Sequence, residues 1–415
     1  MKVFKFGGAS VKNADGVRNL VRVLEHTGYK DIFIIVSAMG KTTNALEQVL
    51  TFYFNNSNYL NKIDEIESMH LQICTELLPY DNELKEIIKA YFDELKDFLL
   101  KNKSTNYDFV YDQTICVGEL VSTRIVQAYL ASQKINCHWI DVREFIKTDS
   151  TFREAIVDWE LTCENLNQLE KNHVYVTQGF IGSDENFITT TLGREGSDYS
   201  GAIVSYCLEA ESLTIWKDVP GVLNADPRYF VQTTKLNQIS YEEAIELAYY
   251  GASIIHPKTL QPLQRKQIPL LVKSFIEFQN PGTRISSGPF LEPEIACYIV
   301  KKNQHVLHIS TINFSFIDEA VIRDVFRKLA ENQLKVNLIQ ISAISLSLCI
   351  EDKFNKLDLV IHDLEENFKI ETSSHCDLYT IRHPNTDSDK NIPGQGKTLI
   401  RQSGINTLQI VKSNL

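Results

Sequence analysis

The sequence predicts an α/β fold, a three-layer αβα sandwich on a mainly parallel central sheet, with a smaller α+β region behind it. Three observations carry that prediction. Through the first two thirds of the 415 residues, short apolar β-prone runs alternate with stretches of helical periodicity, the order of a parallel sheet covered on both faces. Glycine, proline and serine then cluster from Gln279-Asn280-Pro281-Gly282 to Ser287-Gly288-Pro289, as at a domain boundary. Beyond that cluster the order becomes strand, helix, strand, strand, helix, strand.

In order along the chain, Val3, Phe4 and Phe6 make a β-prone start, Gly7 and Gly8 a turn, and Val17, Leu20, Val21 and Leu24 recur at helical spacing. Further strands are expected over 32–36, 174–177, 213–216 and 269–273, with helices between them. Residues 58–100 carry two long amphipathic patterns broken near Pro79 and Tyr80-Asp81-Asn82, a helical hairpin beside the sheet whose charges read as a solvated face. A helix is expected over 120–130 with Glu119 at its head, where an acidic side chain suits the helix N-terminus. Ser240-Tyr241-Glu242-Glu243 is a capping box opening a helix that stops at Gly251, so Ser240 reads as structural. In the C-terminal region strands are expected over 306–310, 336–341, 345–350 and 378–382, and helices over 319–329 and 357–368. A polar stretch over 384–390 precedes a strand-turn-strand over 398–411. The expected boundaries are therefore 1–285, 295–383 and 391–415.

Composition narrows the function classes. Forty-two Lys and Arg against 53 Asp and Glu leave a net charge of −11 without a basic run, which argues against nucleic acid or an anionic membrane as partner. No run reaches the ~18 apolar residues of a membrane span, and the cytoplasm is the expected location. The 8 cysteines are scattered without a CxxC pair and the histidines form no HExxH, so reduced core thiols and no protein-ligated metal are expected. Gly394-Gln395-Gly396-Lys397-Thr398 resembles the end of a P-loop, but Asn391 stands where the leading glycine belongs and β-prone Leu399-Ile400 follows instead of a helix.

The most informative segment is TTLGREGSDYSGA, residues 190–202, which packs Arg194, Gly196, Ser197 and Asp198 ahead of the apolar helical pattern of Ile203, Val204, Cys207 and Leu208. A helix N-terminus leaves N–H groups unpaired and carries partial positive charge, and arginine can grip a carboxylate with two parallel bonds. Such a loop is a site for anions. KFGGAS, residues 5–10, and LTIWKDVPGVLNADPR, residues 213–228, likewise put their polar residues just past a strand. Ligands of open α/β sheets bind there.

Together these blocks resemble the aspartate kinase family of the amino-acid kinase superfamily. The resemblance rests on Lys5-Phe6-Gly7-Gly8, Val36-Ser37-Ala38 with Thr43-Asn44, Val117-Gly118-Glu119-Leu120, residues 193–198, Asp218-Val219-Pro220-Gly221 with Asp226-Pro227-Arg228, and Gly251-Ala252 with His256-Pro257. They occur in the family's order and cover residues 1 to about 285. The resemblance implies the amino-acid kinase fold over that span. It also implies transfer of phosphate from ATP, with Mg2+, to the side-chain carboxylate of L-aspartate, the first step of lysine, threonine and methionine biosynthesis.

Residue by residue, the resemblance makes Lys5 and Asp198 catalytic, Lys5 neutralising phosphate charge and Asp198 orienting it. Arg194 would clamp a substrate carboxylate, Glu119 accept the substrate ammonium, and Ser37, Thr43, Gly196 and Ser197 complete the aspartate pocket. Gly7, Gly8, Lys217, Asp218, Leu223, Arg228 and Ser253 would meet the nucleotide, magnesium being held by phosphate and water. Lys217 replaces a common threonine, Leu223 a common tyrosine, and Ser253 the lysine of a Gly-Ala-Lys pattern. Glu195 places an anion in the phosphate-facing loop and is expected to point away. The alternatives are a kinase of a glutamate-like acid, or a catalytically weak amino-acid sensor; intact Lys5, Arg194 and Asp198 weigh against the sensor.

The C-terminal order resembles a ferredoxin-like ACT regulatory domain, with residues 391–415 as a truncated second unit. A homodimer assembled partly through this tail is implied, and a monofunctional kinase with no homoserine dehydrogenase after residue 415 is expected. Lysine-inhibited family members hold the effector's amino groups with two carboxylates at ACT positions that correspond here to Asn337 and Ala343. Weak or absent lysine inhibition is therefore expected.

Overall fold

A computed structural model describes residues 1–252, 255–393 and 396–414, which form two compact units. The first comprises Met1–Val222, Lys235–Ala248 and Ser253–Glu292; the second comprises Leu223–Thr234, Tyr249–Ala252 and Pro293–Leu415.

The first unit runs β1 (Lys2–Phe6), α1 (Ala14–Thr27), β2 (Ile32–Val36), α2 (Thr42–Phe54), α3 (Leu60–Leu77), α4 (Asn82–Lys101), α5 (Tyr107–Ser132) and β3 (His138–Trp139). It continues through α6 (Val142–Phe145), α7 (Trp159–Leu166), β4 (Val174–Gln178), β5 (Ile181–Ser183), β6 (Thr189–Thr191), α8 (Gly196–Cys207), β7 (Ser212–Lys217) and β8 (Gln238–Ser240). It closes with α9 (Tyr241–Tyr250), α10 (Pro257–Arg265), β9 (Leu270–Ser274), β10 (Thr283–Ser286) and β11 (Leu291–Glu292).

Nine strands form one sheet in the order β11-β8-β10-β9-β7-β1-β2-β4-β3, and β5 pairs with β6 in a separate hairpin. The inner strands are parallel and nearly continuous in apolar residues, as strands buried on both faces must be. Trp216 is fully buried in β7, edge-on to Phe4 at 5.8 Å and stacked on Phe6 at 6.0 Å. Register places Phe6 beside Val36 and Trp216, and Val36 beside Gln178. The carboxyl ends of β1, β2, β4 and β7 therefore share one edge, with Lys5 and Lys217 on it.

Helix starts follow local chemistry. Asn13 accepts the Gly16 N–H ahead of α1, and Asp81 accepts the Leu84 N–H ahead of α4 after the turn at Pro79. Ser240 caps α9 by accepting the Glu243 N–H at 3.1 Å. Helix α5 corrects the expectation for Glu119: Asn106 caps the helix, its buried residues begin at Val110, and Glu119 lies near the middle of 26 helical residues. The idea that its charge serves a helix N-terminus does not hold.

The second unit is a six-stranded antiparallel sheet ordered β13-β14-β12-β15-β17-β16, from β12 (Cys297–Thr311), β13 (Lys335–Ile341), β14 (Ser345–Glu351), β15 (Phe368–Arg382), β16 (Thr398–Ser403) and β17 (Thr407–Ser413). Helices α11 (Glu319–Glu331) and α12 (Leu357–Glu365) bury Val325, Leu329, Val360 and Leu364 against Leu307, Ile309, Leu346 and Leu348. Strands β12 and β15 are 15 residues each, far longer than expected. The 398–411 hairpin has no sheet of its own, because β17 pairs with β15. Thr398 opens a strand, as its β-prone neighbours require, and the Gly394-Gln395 part of the P-loop-like segment lies outside the described residues.

The expectation of uniformly reduced thiols is also corrected. Cys163 of α7 is disulfide-bonded to Cys207 at the end of α8, while the other six cysteines form no disulfide among the described residues. Trp159 of α7 packs edge-on against Tyr199 and Tyr206 of α8, which brings the two Cα atoms to 4.6 Å, within bonding range.

Candidate active site

Lys5 stands one residue before the end of β1, and its Nζ lies 2.7 Å from Oδ1 of Asp198 in the first turn of α8. Lys217, at the end of the neighbouring β7, lies 3.3 Å from the other carboxylate oxygen. One buried carboxylate thus meets two ammonium groups. Burial pushes the Asp198 carboxyl up, but Lys5 and Lys217 outweigh it and hold the group below its usual range. Asp198 is therefore ionised at neutral pH, one carboxylate between two lysine side chains at the sheet edge.

The glycine turn follows Lys5 directly. A Cβ on Gly8 would lie 2.6 Å from the Ala38 carbonyl oxygen and 3.0 Å from that of Gly40, so only glycine fits this approach of two backbones. Gly40 N–H donates to the Gly8 carbonyl, and Ser37 N–H donates to Phe6, which draws the loop after β2 to the end of β1. Ser122 of α5 donates to the Ser37 carbonyl at 2.7 Å. Thr43, the second residue of α2, is half-buried just past this loop.

Glu119 sits one turn before Ser122. Burial pushes its carboxyl up to about 8, while the charge of Lys5 and the Ala38 N–H pull the other way. Its Oε2 is buried without a hydrogen-bond partner among the described residues. A buried acid beside a cationic cluster with one oxygen unused is equipped to receive an ammonium group.

Arg194 is exposed on the loop between β6 and α8. Gly196 and Ser197 are the first residues of α8, directly after Glu195. Glu195 adopts the left-handed region at φ 53°, and its Oε2 accepts the His256 N–H at 2.9 Å. That contact accounts for an acid in an anion-facing loop: its charge is spent at the start of α10.

The structure gathers Lys5, Gly7, Gly8, Ser37, Glu119, Asp198 and Lys217 through the contacts above, with exposed Asp218 following Lys217. Leu223 and Arg228 belong to the second unit, where the Arg228 guanidinium is bound to Asp226 at 2.6 to 3.0 Å. Ser253 lies outside the described residues. Sequence reasoning missed Asp112, Ser122 and the partner of Glu195. Of these only Asp112 had a signal, a second acid two helical turns before Glu119 on the same face of α5.

A parallel sheet whose strand ends carry two lysines on one buried acid, a glycine turn and an anion loop defines a phosphotransferase site. The chain matches the model of the amino acid kinase family over residues 1–274 and belongs to that family. Within the family its relatives are aspartokinases. It is 30% identical over 354 residues to lysine-sensitive aspartokinase 3 of Escherichia coli (strain K12), covering 84% of this chain and 78% of that protein. It is also 30% identical over 357 residues to the bifunctional aspartokinase/homoserine dehydrogenase of Buchnera aphidicola, 82% of this chain but only 43% of that relative. The solved structure of E. coli aspartokinase III in complex with aspartate and ADP matches with a TM-score of 0.81 at 25% identity, over 100% of this chain and 96% of that one.

Proposed function

We propose that the chain catalyses transfer of the terminal phosphoryl group of ATP to the side-chain carboxylate of L-aspartate, giving ADP and 4-phospho-L-aspartate. The observation that carries this reading is the Lys5–Asp198–Lys217 cluster beside a buried Glu119 with a free oxygen. The aspartokinase relatives support the choice of acceptor.

The acceptor carboxylate, with a pKa of ~3.9, is already ionised at neutral pH, so no catalytic base is needed. The task is electrostatic: an anion must approach a triphosphate, and charge spreads over the phosphoryl oxygens as the bond breaks. Lys5 supplies positive charge at the transferring group, and Asp198 keeps it aimed. Lys217 and Asp218 serve the nucleotide end, with Gly7 and Gly8 letting phosphate approach the backbone. Glu119 receives the substrate ammonium, Arg194 the α-carboxylate, and Ser37, Thr43, Gly196 and Ser197 provide hydrogen bonds around them. Nucleotide roles for Leu223, Arg228 and Ser253 rest on the family resemblance alone.

Asp198 is engaged by two lysines, which fits a magnesium ion held by phosphate oxygens and water. When bound, the ion neutralises phosphate charge. Among the described residues no helix is long and apolar enough to cross a membrane. We place the protein in the cytoplasm as a homodimer assembled partly through its C-terminal unit, to be checked by sedimentation. The reaction is tested by coupled ADP release with Mg-ATP and either L-aspartate or L-glutamate. Aspartate-dependent release well above that with glutamate is expected; equal or no release contradicts the proposal.

A further inference from the structure

The loop that carries Arg194 is fastened by a carboxylate with no place in the chemistry above. Asp112, fully buried on α5, accepts from three donors. Its Oδ2 takes the Thr191 N–H at 2.8 Å, its Oδ1 the Thr191 hydroxyl at 2.8 Å, and the two oxygens share the Arg153 N–H at 3.0 and 3.2 Å. Thr191 ends β6, three residues before Arg194.

The segment around Arg153 is the floor on which the loop rests. Ala155 N–H donates to the Thr191 carbonyl at 3.0 Å. Gly193 adopts φ 77°, and a Cβ there would lie 3.2 Å from both the Arg153 carbonyl oxygen and Cγ of Glu154. Arg153 itself is held at φ 68°. Two chain segments in uncommon backbone conformations thus meet, and Asp112 binds a backbone N–H from each. Past Thr191 the loop has no ladder of its own; Leu192 donates to Phe180, Gly196 to Gly193, and Glu195 ties its far end to His256.

We propose that Asp112 is a positioning residue for substrate recognition, holding the Thr191–Glu195 loop on the Arg153–Glu154 segment so that Arg194 is presented to the substrate carboxylate. This rests on the reading that Arg194 binds that carboxylate. The requirement is for charge at this point: two backbone N–H groups converge on Oδ2 and the Thr191 hydroxyl donates to Oδ1, so one carboxylate holds both segments with charge-assisted bonds. An amide in its place would keep one oxygen for the two N–H groups and meet the Thr191 hydroxyl with its NH2, giving up the charge that strengthens each of these bonds.

The test compares Asp112→Asn, Thr191→Val and the double variant in the full-length protein. Asp112→Asn should raise the aspartate KM about tenfold or more, as loss of a charge-assisted bond does, and leave the KM for Mg-ATP unmoved. The double variant should be no worse than Asp112→Asn alone, since both changes cut the same contact. Amide hydrogen exchange at Thr191 and Arg153 should accelerate in Asp112→Asn while the sheet strands keep their protection. If Asp112→Asn does not fold, Thr191→Val carries the test through the same two readouts. A folded variant with the wild-type aspartate KM and unchanged exchange at Thr191 overturns the proposal. A wild-type protein without aspartate-dependent turnover instead overturns the reaction, and exchange at Thr191 to Glu195 then decides whether Asp112 holds the loop.

Discussion

Lys5 and Lys217 come from adjacent parallel strands, so their charges are fixed by sheet register, and Asp198 answers both from the first turn of a helix. Removing the Lys5 charge takes away stabilisation where the transferring group is most anionic. Lys5→Met should therefore lower turnover on the order of a hundredfold or more with the fold intact, and near-normal turnover would refute its role. Glu119 gives a pH signature. Because burial holds its carboxyl near 8, the group is largely neutral below that pH in the free protein, and only the ionised form pairs with an ammonium. The kcat/KM for aspartate should climb as pH rises toward 8, and Glu119→Gln should raise the aspartate KM and flatten that limb. An unchanged pH profile in the variant would contradict the assignment. That Lys5, Glu119 and Asp198 come together was legible because motifs carry them. Asp112 was not, because its partners lie 41 and 79 residues away in sequence.

At the scale of elements, the inner parallel strands β1, β2, β4, β7 and β9 were legible to within a residue at each end, since burial on both faces writes an apolar run, whereas the short strands β3, β8 and β10 were not anticipated. Strands β12 and β15 were only half visible. Their outer halves pass through Lys301-Lys302-Asn303-Gln304 and Thr372-Ser373-Ser374-His375, where the β12–β15 register shifts between Lys301 and Val306 and breaks the alternation on which strand reading depends. The α7–α8 disulfide was invisible in spacing because it joins residues 44 apart through helix packing. Alkylation without reductant should modify six thiols per chain after unfolding, and reduction should expose two more. Closing a loop of that length corresponds to about 4 kcal/mol in the chain-entropy model, so reduction should lower Tm by several degrees. Eight reactive thiols without reductant, or an unmoved Tm, would contradict the cross-link.

At the scale of the molecule, the second unit bears on feedback. Asn337 stands where lysine-inhibited relatives are expected to offer a carboxylate, and both ends of its amide are taken: Lys301 donates to its oxygen at 2.8 Å and it donates to Gln304 at 2.8 Å. A charge-assisted bond is worth roughly 1.5 to 3 kcal/mol, so its loss weakens effector binding by an order of magnitude or more. Titrating L-lysine into the assay should give weak or no inhibition; half-inhibition well below millimolar would show that Asn337 is not the determinant. The broad plan of both units was legible in the alternation of elements. Joining the last hairpin to β15 was not, because strand partners are chosen by tertiary packing.

The central claim is that the acceptor is a carboxylate, and acyl phosphates betray themselves chemically. Incubation with Mg-ATP, L-aspartate and hydroxylamine should accumulate aspartyl hydroxamate in step with ADP, and Lys5→Met should make little of it. ADP release without hydroxamate, or hydroxamate formed equally well from L-glutamate, would contradict the account.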